Sequence, residues 1–163
     1  MAIENKYVLA ATAAEKKAPA LYTNGTGNIV MQATVEVAAA DDNDSIYRLF
    51  RDIPANAVPL SIAVYNTAIT SGTSYSLGLY KTNLGVVVSA ACFASALDVS
   101  SARVIATANN AGMTAINIAT LAANLGVLSG QSEPDSAYDI AFIAGAVGSA
   151  AGTIRVVATF AFI

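Results

Sequence analysis

Charged side chains are scarce in this chain, and that scarcity restricts its fold more than any motif does. Eight basic and eleven acidic residues are spread over 163 positions, 12% of the sequence, against about a quarter in ordinary soluble proteins. Apolar residues reach 55%, much of it alanine. A folded monomer of 16.5 kDa should expose on the order of 7,500 Å² by surface scaling. So few charges cannot cover that area. The remainder must be Ala, Ser, Thr, Asn and Gly, or must be buried against other chains. Small neutral surfaces pack closely between subunits, because contact desolvates no charge. The composition therefore points to self-assembly or to docking on a larger assembly. A soluble monomer with a Ser/Thr/Ala skin is the plain alternative.

The missing residue types exclude whole classes of chemistry. With no His, no Trp and one Cys, the chain can build no Ser–His–Asp triad, Cys–His pair, His-ligated zinc or multi-cysteine metal site. A net charge of −3 argues against nucleic acid as a partner, since such proteins concentrate basic charge on one face. A membrane span is equally unsupported. The longest uncharged stretch, Val104–Ser132, carries Asn109, Asn110, Asn117, Asn124 and Gln131, and buried amides are costly in a bilayer core. At the N-terminus, Tyr7–Ala14 is too short an apolar run, without a basic leader, to read as a signal peptide. Cys92 has no partner in the chain and reads as a small buried hydrophobe.

The length fits one domain, since domains run to about 100–200 residues. Residues 1–28, with the Lys16–Lys17 pair, Pro19 and a Gly-bearing turn, read as an N-terminal arm ahead of a β-sandwich domain at 29–163. From Asn28 the apolar pattern alternates. Val30, Ala33, Val35 and Val37 are set against Gln32, Thr34 and Glu36. In SIYRLFRDI, Ile46, Arg48, Phe50 and Asp52 are set against Tyr47, Leu49, Arg51 and Ile53. Further strands are expected at Val58–Asn66, through Tyr75, Leu77, Leu79 and Lys81, at Val86–Phe93 and at Arg103–Thr107. A terminal hairpin follows, with Tyr138, Ile140, Phe142 and Ala144 in one row and Ile154, Val156, Ala158, Phe160 and Phe162 in the other. One helix is expected, capped by Thr114, apolar through Ile118, Leu121, Ala122 and Leu125, and stopped at Gly126. About eight closely spaced strands with one short helix on a crossover give an all-β class. The expected architecture is an antiparallel, jelly-roll-like β-sandwich. An immunoglobulin-like sandwich competes less well, lacking that fold's paired cysteines and core Trp.

Candidate sites are few. Asp41–Asp44 has oxygen ligands in series, but no mid-loop Gly and distal Glu of a calcium loop, so it reads as a solvated turn. Glu133, Asp135 and Asp139 form a second acidic group, yet no aromatic platform accompanies it for glycoside chemistry. Arg48 and Arg51 fall on opposite faces of one strand. One of them should therefore turn inward or be buried in an interface, with Asp52, Asp44 and Glu36 as candidate partners. No catalytic, cofactor-binding or metal-binding residue is assigned, and no enzyme activity is expected.

Two stretches carry a resemblance. DSIYRLFRDIPANAVPLSIAVYNTAITSGTSYSLGLYKTN (Asp44–Asn83) resembles part of the small tailed-bacteriophage virion proteins known as capsid cement or decoration proteins. LAANLGVLSGQSEPDSAYDIAFIAGAVGSAAGTIRVVATFAFI (Leu121–Ile163) is similar to the same family, with its Leu-Gly turn, acidic Pro loop, Tyr-Asp strand entry and Ala-Gly-Thr hairpin. The two stretches span about half the chain. The Ala-rich segment before the Leu-Gly turn departs from the aromatic-bearing helix of that family. The resemblance implies a jelly-roll-like structural protein, made in the host cytoplasm and placed on the capsid exterior of the virion. Its partners would be the major capsid protein and itself, as a dimer or trimer. Other readings are a self-assembling coat, tail or fibre-associated subunit, and a glycan- or ligand-binding sandwich using Tyr65, Tyr75 and Tyr80.

Overall fold

The computed structural model describes residues 22–23, 28–106 and 123–162. Nine strands run in the order β1 (Tyr22–Thr23), β2 (Asn28–Val37), β3 (Ser45–Pro54), β4 (Ala57–Asn66), β5 (Thr73–Lys81), β6 (Val87–Leu97), β7 (Arg103–Ala106), β8 (Ala137–Ala146) and β9 (Gly152–Phe162). A single helical turn, α1 (Leu125–Leu128), precedes β8. The five-stranded sheet has the order β1-β2-β9-β4-β7, and the four-stranded sheet the order β3-β8-β5-β6. Every pairing is antiparallel.

The topology follows one rule. β2 pairs with β9, β3 with β8, β4 with β7 and β5 with β6. The chain is thus one long hairpin, folded at the β5–β6 turn and rolled so that successive strand pairs alternate between sheets. Pairing of β4 with β9 and of β5 with β8 closes the roll. This gives the expected jelly-roll-like sandwich. Each expected strand is present, and β1 adds a short strand within the segment read as an arm.

Alternation places the core. Ile140, Phe142 and Ala144 of β8 interdigitate with Ile154, Val156, Ala158 and Phe160 of β9, all buried. Phe50 and Phe160 meet edge-to-face across the sheets at 6.5 Å between ring centroids, and Tyr75 meets Phe142 at 6.3 Å. Two expected patterns are corrected. On β2 the inward row is Ile29, Met31, Ala33, Val35 and Val37, so Val30 joins the outward row with Gln32. On β3 strict alternation fails, because register shifts fall between Arg48 and Phe50 and between Phe50 and Ile53. Each shift inserts unpaired residues. Tyr47, Phe50 and Ile53 therefore all face the core.

The expected helix is also corrected where it can be seen. Thr114, Ile118, Leu121 and Ala122 lie outside the described residues. Leu125 and Gly126, expected at its end, instead begin α1, because the Asn124 side chain accepts the Val127 amide at 3.0 Å and caps a new turn. The Gly126 amide donates to Ala55 O at 2.9 Å, pinning α1 to the β3–β4 turn. At the opposite end Asn66 donates to the carbonyls of Thr67, Val99 and Ser101, joining the β4–β5 and β6–β7 loops.

Close approach is tightest at one glycine. On Gly78 of β5, an added Cβ would meet Ser89 O and the carbonyl group of Ala90, because β6 crosses directly over it. Both obstacles are backbone, which cannot rotate aside. Gly78→Ala should therefore lower stability by about 1–3 kcal/mol or prevent β6 from docking, measured by urea denaturation against Gly126→Ala, where an added Cβ meets nothing nearer than 3.3 Å.

Candidate functional site

Among the described residues no group of three or more Cys, Asp and Glu side chains is placed to hold a metal ion, and the fold presents sheet edges, faces and turns. Three of the four sheet edges are blunted in the manner natural sheets use against strand addition. On β3 the two register shifts are joined by the exposed Arg51–Asp52 pair, left-handed Asp52 and Pro54. β6 pairs with β5 through three register shifts and carries left-handed Ala96. β7 is four residues long. β2 has none of these devices: its ten pairs with β9 run without a break.

The outward face of the five-stranded sheet carries charges of both signs, among them Glu36 and Arg155. Arg155 donates to Gln32 Oε1 at 2.6 Å and lies over the Tyr65 ring at 6.0 Å. Beside them the Thr153 hydroxyl donates to the Glu36 carboxylate at 3.0 and 3.1 Å. Exposed apolar side chains gather at the sandwich end formed by the β3–β4 and β5–β6 turns and α1. Leu84 (65% exposed), Val86, Val87 and Val127 (68%) all lie there. The turn itself is held by the Lys81 amide donating to Val86 O at 2.8 Å and Thr82 Oγ1 donating to Ala137 O at 3.2 Å.

The two arginines differ in burial, Arg48 buried and Arg51 exposed, although the register shifts of β3 interrupt the alternation between them, and the buried one finds a different partner. Arg48 sits on the outward face of the four-stranded sheet, beside a small buried cluster of Tyr80, Ala141 and Ile46. Its Nη1 reaches Asp139 Oδ2 at 3.2 Å and Asn83 Oδ1 at 3.0 Å, with both ion-pair side chains buried. Neither Asp52, Asp44 nor Glu36 pairs with it among the contacts described. Asp139 also accepts the amides of Asp52 and Asn83, each at 2.9 Å. One carboxylate therefore ties β3, β8 and the β5–β6 turn together. Arg51 stays at the surface, bonded to Asp52 at 2.8 Å.

The acidic groups resolve into structural roles. Asp139 leaves the expected cluster for Arg48, while exposed Asp135 lies 4.0 Å from Lys81. In the first turn, Asp41 is buried and accepts from the Ala38 amide at 2.9 Å and the Tyr47 hydroxyl at 2.8 Å. Asn43 Oδ1 accepts the Val147 amide at 3.0 Å, and Asp44 takes the left-handed conformation that ends the turn. The tyrosine platform does not form: Tyr75 and Tyr80 are fully buried, the former donating to Val147 O at 2.8 Å, and Tyr65 alone of the three is exposed. Sequence reasoning missed the Asp139 role. Its signal was a carboxylate between Tyr138 and Ile140 in mid-strand, where a buried charge must find a partner.

Burial acts on the titrating groups in one direction. Desolvation pushes the Cys92 thiol from its ordinary 9.0 up to about 12. The same cause raises the phenols of Tyr47, Tyr75 and Tyr80. The folded chain holds these protons more tightly than the unfolded chain. Stability should thus be level through neutral pH and fall as pH rises above the ordinary thiol value, with urea midpoints across pH 7–11 as the measurement. For the buried pair, Arg48→Met leaves Asp139 charged and without its cation. It should cost about 3–5 kcal/mol, read by urea denaturation at pH 7, whereas Arg51→Met should be nearly silent.

No known protein family matches the sequence, and no curated protein matches it. Solved structures do match. A chain in the capsid of Ralstonia phage GP4 aligns with a TM-score of 0.62 at 12% identity, covering 91% of this chain and 93% of that one. A chain in the cyanophage Pam1 capsid asymmetric unit aligns with a TM-score of 0.50 at 18% identity, covering 93% of this chain and 97% of that one. At such identities the likeness is one of fold, and it extends over nearly the whole of each chain.

Proposed function

We propose that this chain is a structural subunit of a tailed-phage capsid, docked on the outside of the shell as a cement protein. The observation that carries the reading is the fold, shared almost end to end with chains from two phage capsids. The Asp44–Asn83 and Leu121–Ile163 resemblance and the low charge content, 12% of the sequence, support it independently. The polar groups likewise serve to hold the fold: Asp139, Arg48, Asp41 and Asn66 are spent on joining strands and turns.

The mechanism is additive. Each copy bridges a seam between major capsid subunits and contributes one modest interface. Many copies together oppose the outward pressure of packaged DNA. A neutral Ala/Ser/Thr surface suits such contacts, because little charge is desolvated when they close. Within the segment read as an arm, residues 1–28, it is residues 1–21 that reach a neighbour by adding a strand to its sheet, since Tyr22–Thr23 and Asn28 pair within this chain's own sheet.

Two measurements test this. Purified chain should remain a small oligomer alone, and should co-sediment with shells that lack it and raise the temperature at which they rupture. Deleting residues 1–21, which spares β1 and β2, should weaken shell binding by at least about tenfold, on the order of 1.4 kcal/mol. Formation of tubes or closed particles by the isolated chain would identify a coat subunit instead. Glycan binding without shell binding would favour a receptor-binding module.

A further inference from the structure

We infer that β2 is the self-association strand: its open edge, Met31–Val37, pairs antiparallel with the same edge of a second copy about a two-fold axis at Thr34. The inference deepens the reading of this chain as an assembling subunit by naming the surface and the partner. It does not depend on which shell the subunit binds.

The geometry selects β2 first. Its ladder with β9 is unbroken over all ten pairs, it contains no proline and no left-handed residue, and Glu36 is its sole charge. The other three edges are bulged, charged or short, as described above. On its outer side β1 covers Ile29 and Val30. At the other end the chain turns away after Val37, with the Asp41 amide donating to Ala38 O at 3.0 Å. Among the described residues nothing pairs with the stretch between. The inward-facing side chains of that stretch, Ala33 and Val35, are only half-buried against the core. A strand laid alongside would complete their burial.

The side chains then select the partner and the register. Antiparallel pairing must keep outward residues opposite outward residues, because a slip of one position turns every side chain to the wrong face. Centred on Thr34, the two-fold fills the whole edge, setting Met31 opposite Val37, Gln32 opposite Glu36 and Ala33 opposite Val35. Gln32 spends its carbonyl oxygen on Arg155, which leaves its amide N–H groups to donate to the facing Glu36 carboxylate. The exchange occurs twice, once on each side of the axis. Centring on Glu36 would oppose two carboxylates, centring on Val35 would part Gln32 from Glu36 and leave Met31 and Gln32 beyond the end of the partner's strand, and centring on Ala33 would run the partner into β1. The edge is thus self-complementary in length, face and charge in one register, and a second copy is the occupant that fits it.

The test uses a disulfide as a ruler. Directly opposed antiparallel residues lie about 4.5–5.5 Å apart at Cα, within the range a disulfide spans. In a Cys92→Ala background, full-length Thr34→Cys should form an intermolecular disulfide under mild oxidation. Thr159→Cys, on the outward face of central β9, should stay reduced. Light scattering of the unmodified chain should give twice 16.5 kDa. Thr34→Lys, which sets two ammonium groups face to face on an exposed position, should raise the dimer dissociation constant at least tenfold. A failure of T34K to fold leaves the cross-link to decide.

Three results would overturn the inference. One is a chain that stays monomeric at high concentration, with the Thr34→Cys variant unlinked. Another is a dimer that neither cross-links through Thr34→Cys nor responds to T34K. The third is a Thr34→Cys cross-link that appears only after residues 1–21 are deleted, which would assign the edge to the chain's own N-terminal segment. Shell binding is measured separately, so any of these could occur while the cement reading stands.

Discussion

Closure of the roll rests on β2 against β9. These strands lie at the two ends of the described chain, with Asn28 opposite Ala161 and Val37 opposite Gly152. No local turn brings them together, so the entropy of closing the whole intervening chain must be met by the ladder and by the core it shuts. All ten pairs are regular, as are those of β5 with β8, whereas the β3–β8, β5–β6 and β4–β9 pairings contain register shifts. Regularity at the seam and irregularity in these three pairings fit together. A seam that joins distant segments gains from every hydrogen bond available, whereas bulges within the other pairs bend the sheets into a roll.

Asp139 plays the complementary part at the far end of the hairpin. The β5–β6 turn is the point about which the chain doubles back. One buried carboxylate holds the Asn83 amide of that turn, the Asp52 amide of β3 and the Arg48 guanidinium. A buried ion pair is weak evidence of net stability. Its effect here is geometric, because the Asp52 and Arg48 contacts fix where bulged β3 sits against β8. Without them a strand with two register shifts would have several near-equivalent alignments. The charge that is scarce on the surface is thus placed where register needs it.

Much of this was legible in the sequence, and the parts that were not share a cause. The rows Ile140–Phe142–Ala144 and Ile154–Val156–Ala158–Phe160 read correctly because period-two alternation is a local property. Strand positions followed for the same reason. What sequence could not supply were relations between distant segments. Arg48 and Asp139 are 91 positions apart, so proximity in sequence pointed to Asp44 and Asp52 instead. The bulges of β3 leave no compositional mark, and Val30 takes the outward row because inward alternation begins at Ile29. In α1 the error was local: Asn124, counted among the amides that break an apolar run, is the cap that starts the turn.

Edge treatment connects these observations to assembly. A sheet edge left straight and apolar invites unwanted pairing, and soluble proteins ordinarily guard every edge with charge, proline or a bulge. This chain guards selectively. It spends two of its nineteen charges, Arg51 and Asp52, on the exposed edge of β3, bulges β6, and keeps β7 short. β2 alone is left regular, with a single carboxylate that sets register without blocking approach. Selective guarding distinguishes an edge meant to pair from one merely tolerated, since a chain under general pressure for solubility has no reason to spare one edge. The low charge content that first set this sequence apart therefore has a positional meaning as well as an average one. Under the proposed pairing, charge is withheld from the edge that would meet a second copy and kept where strand addition is refused.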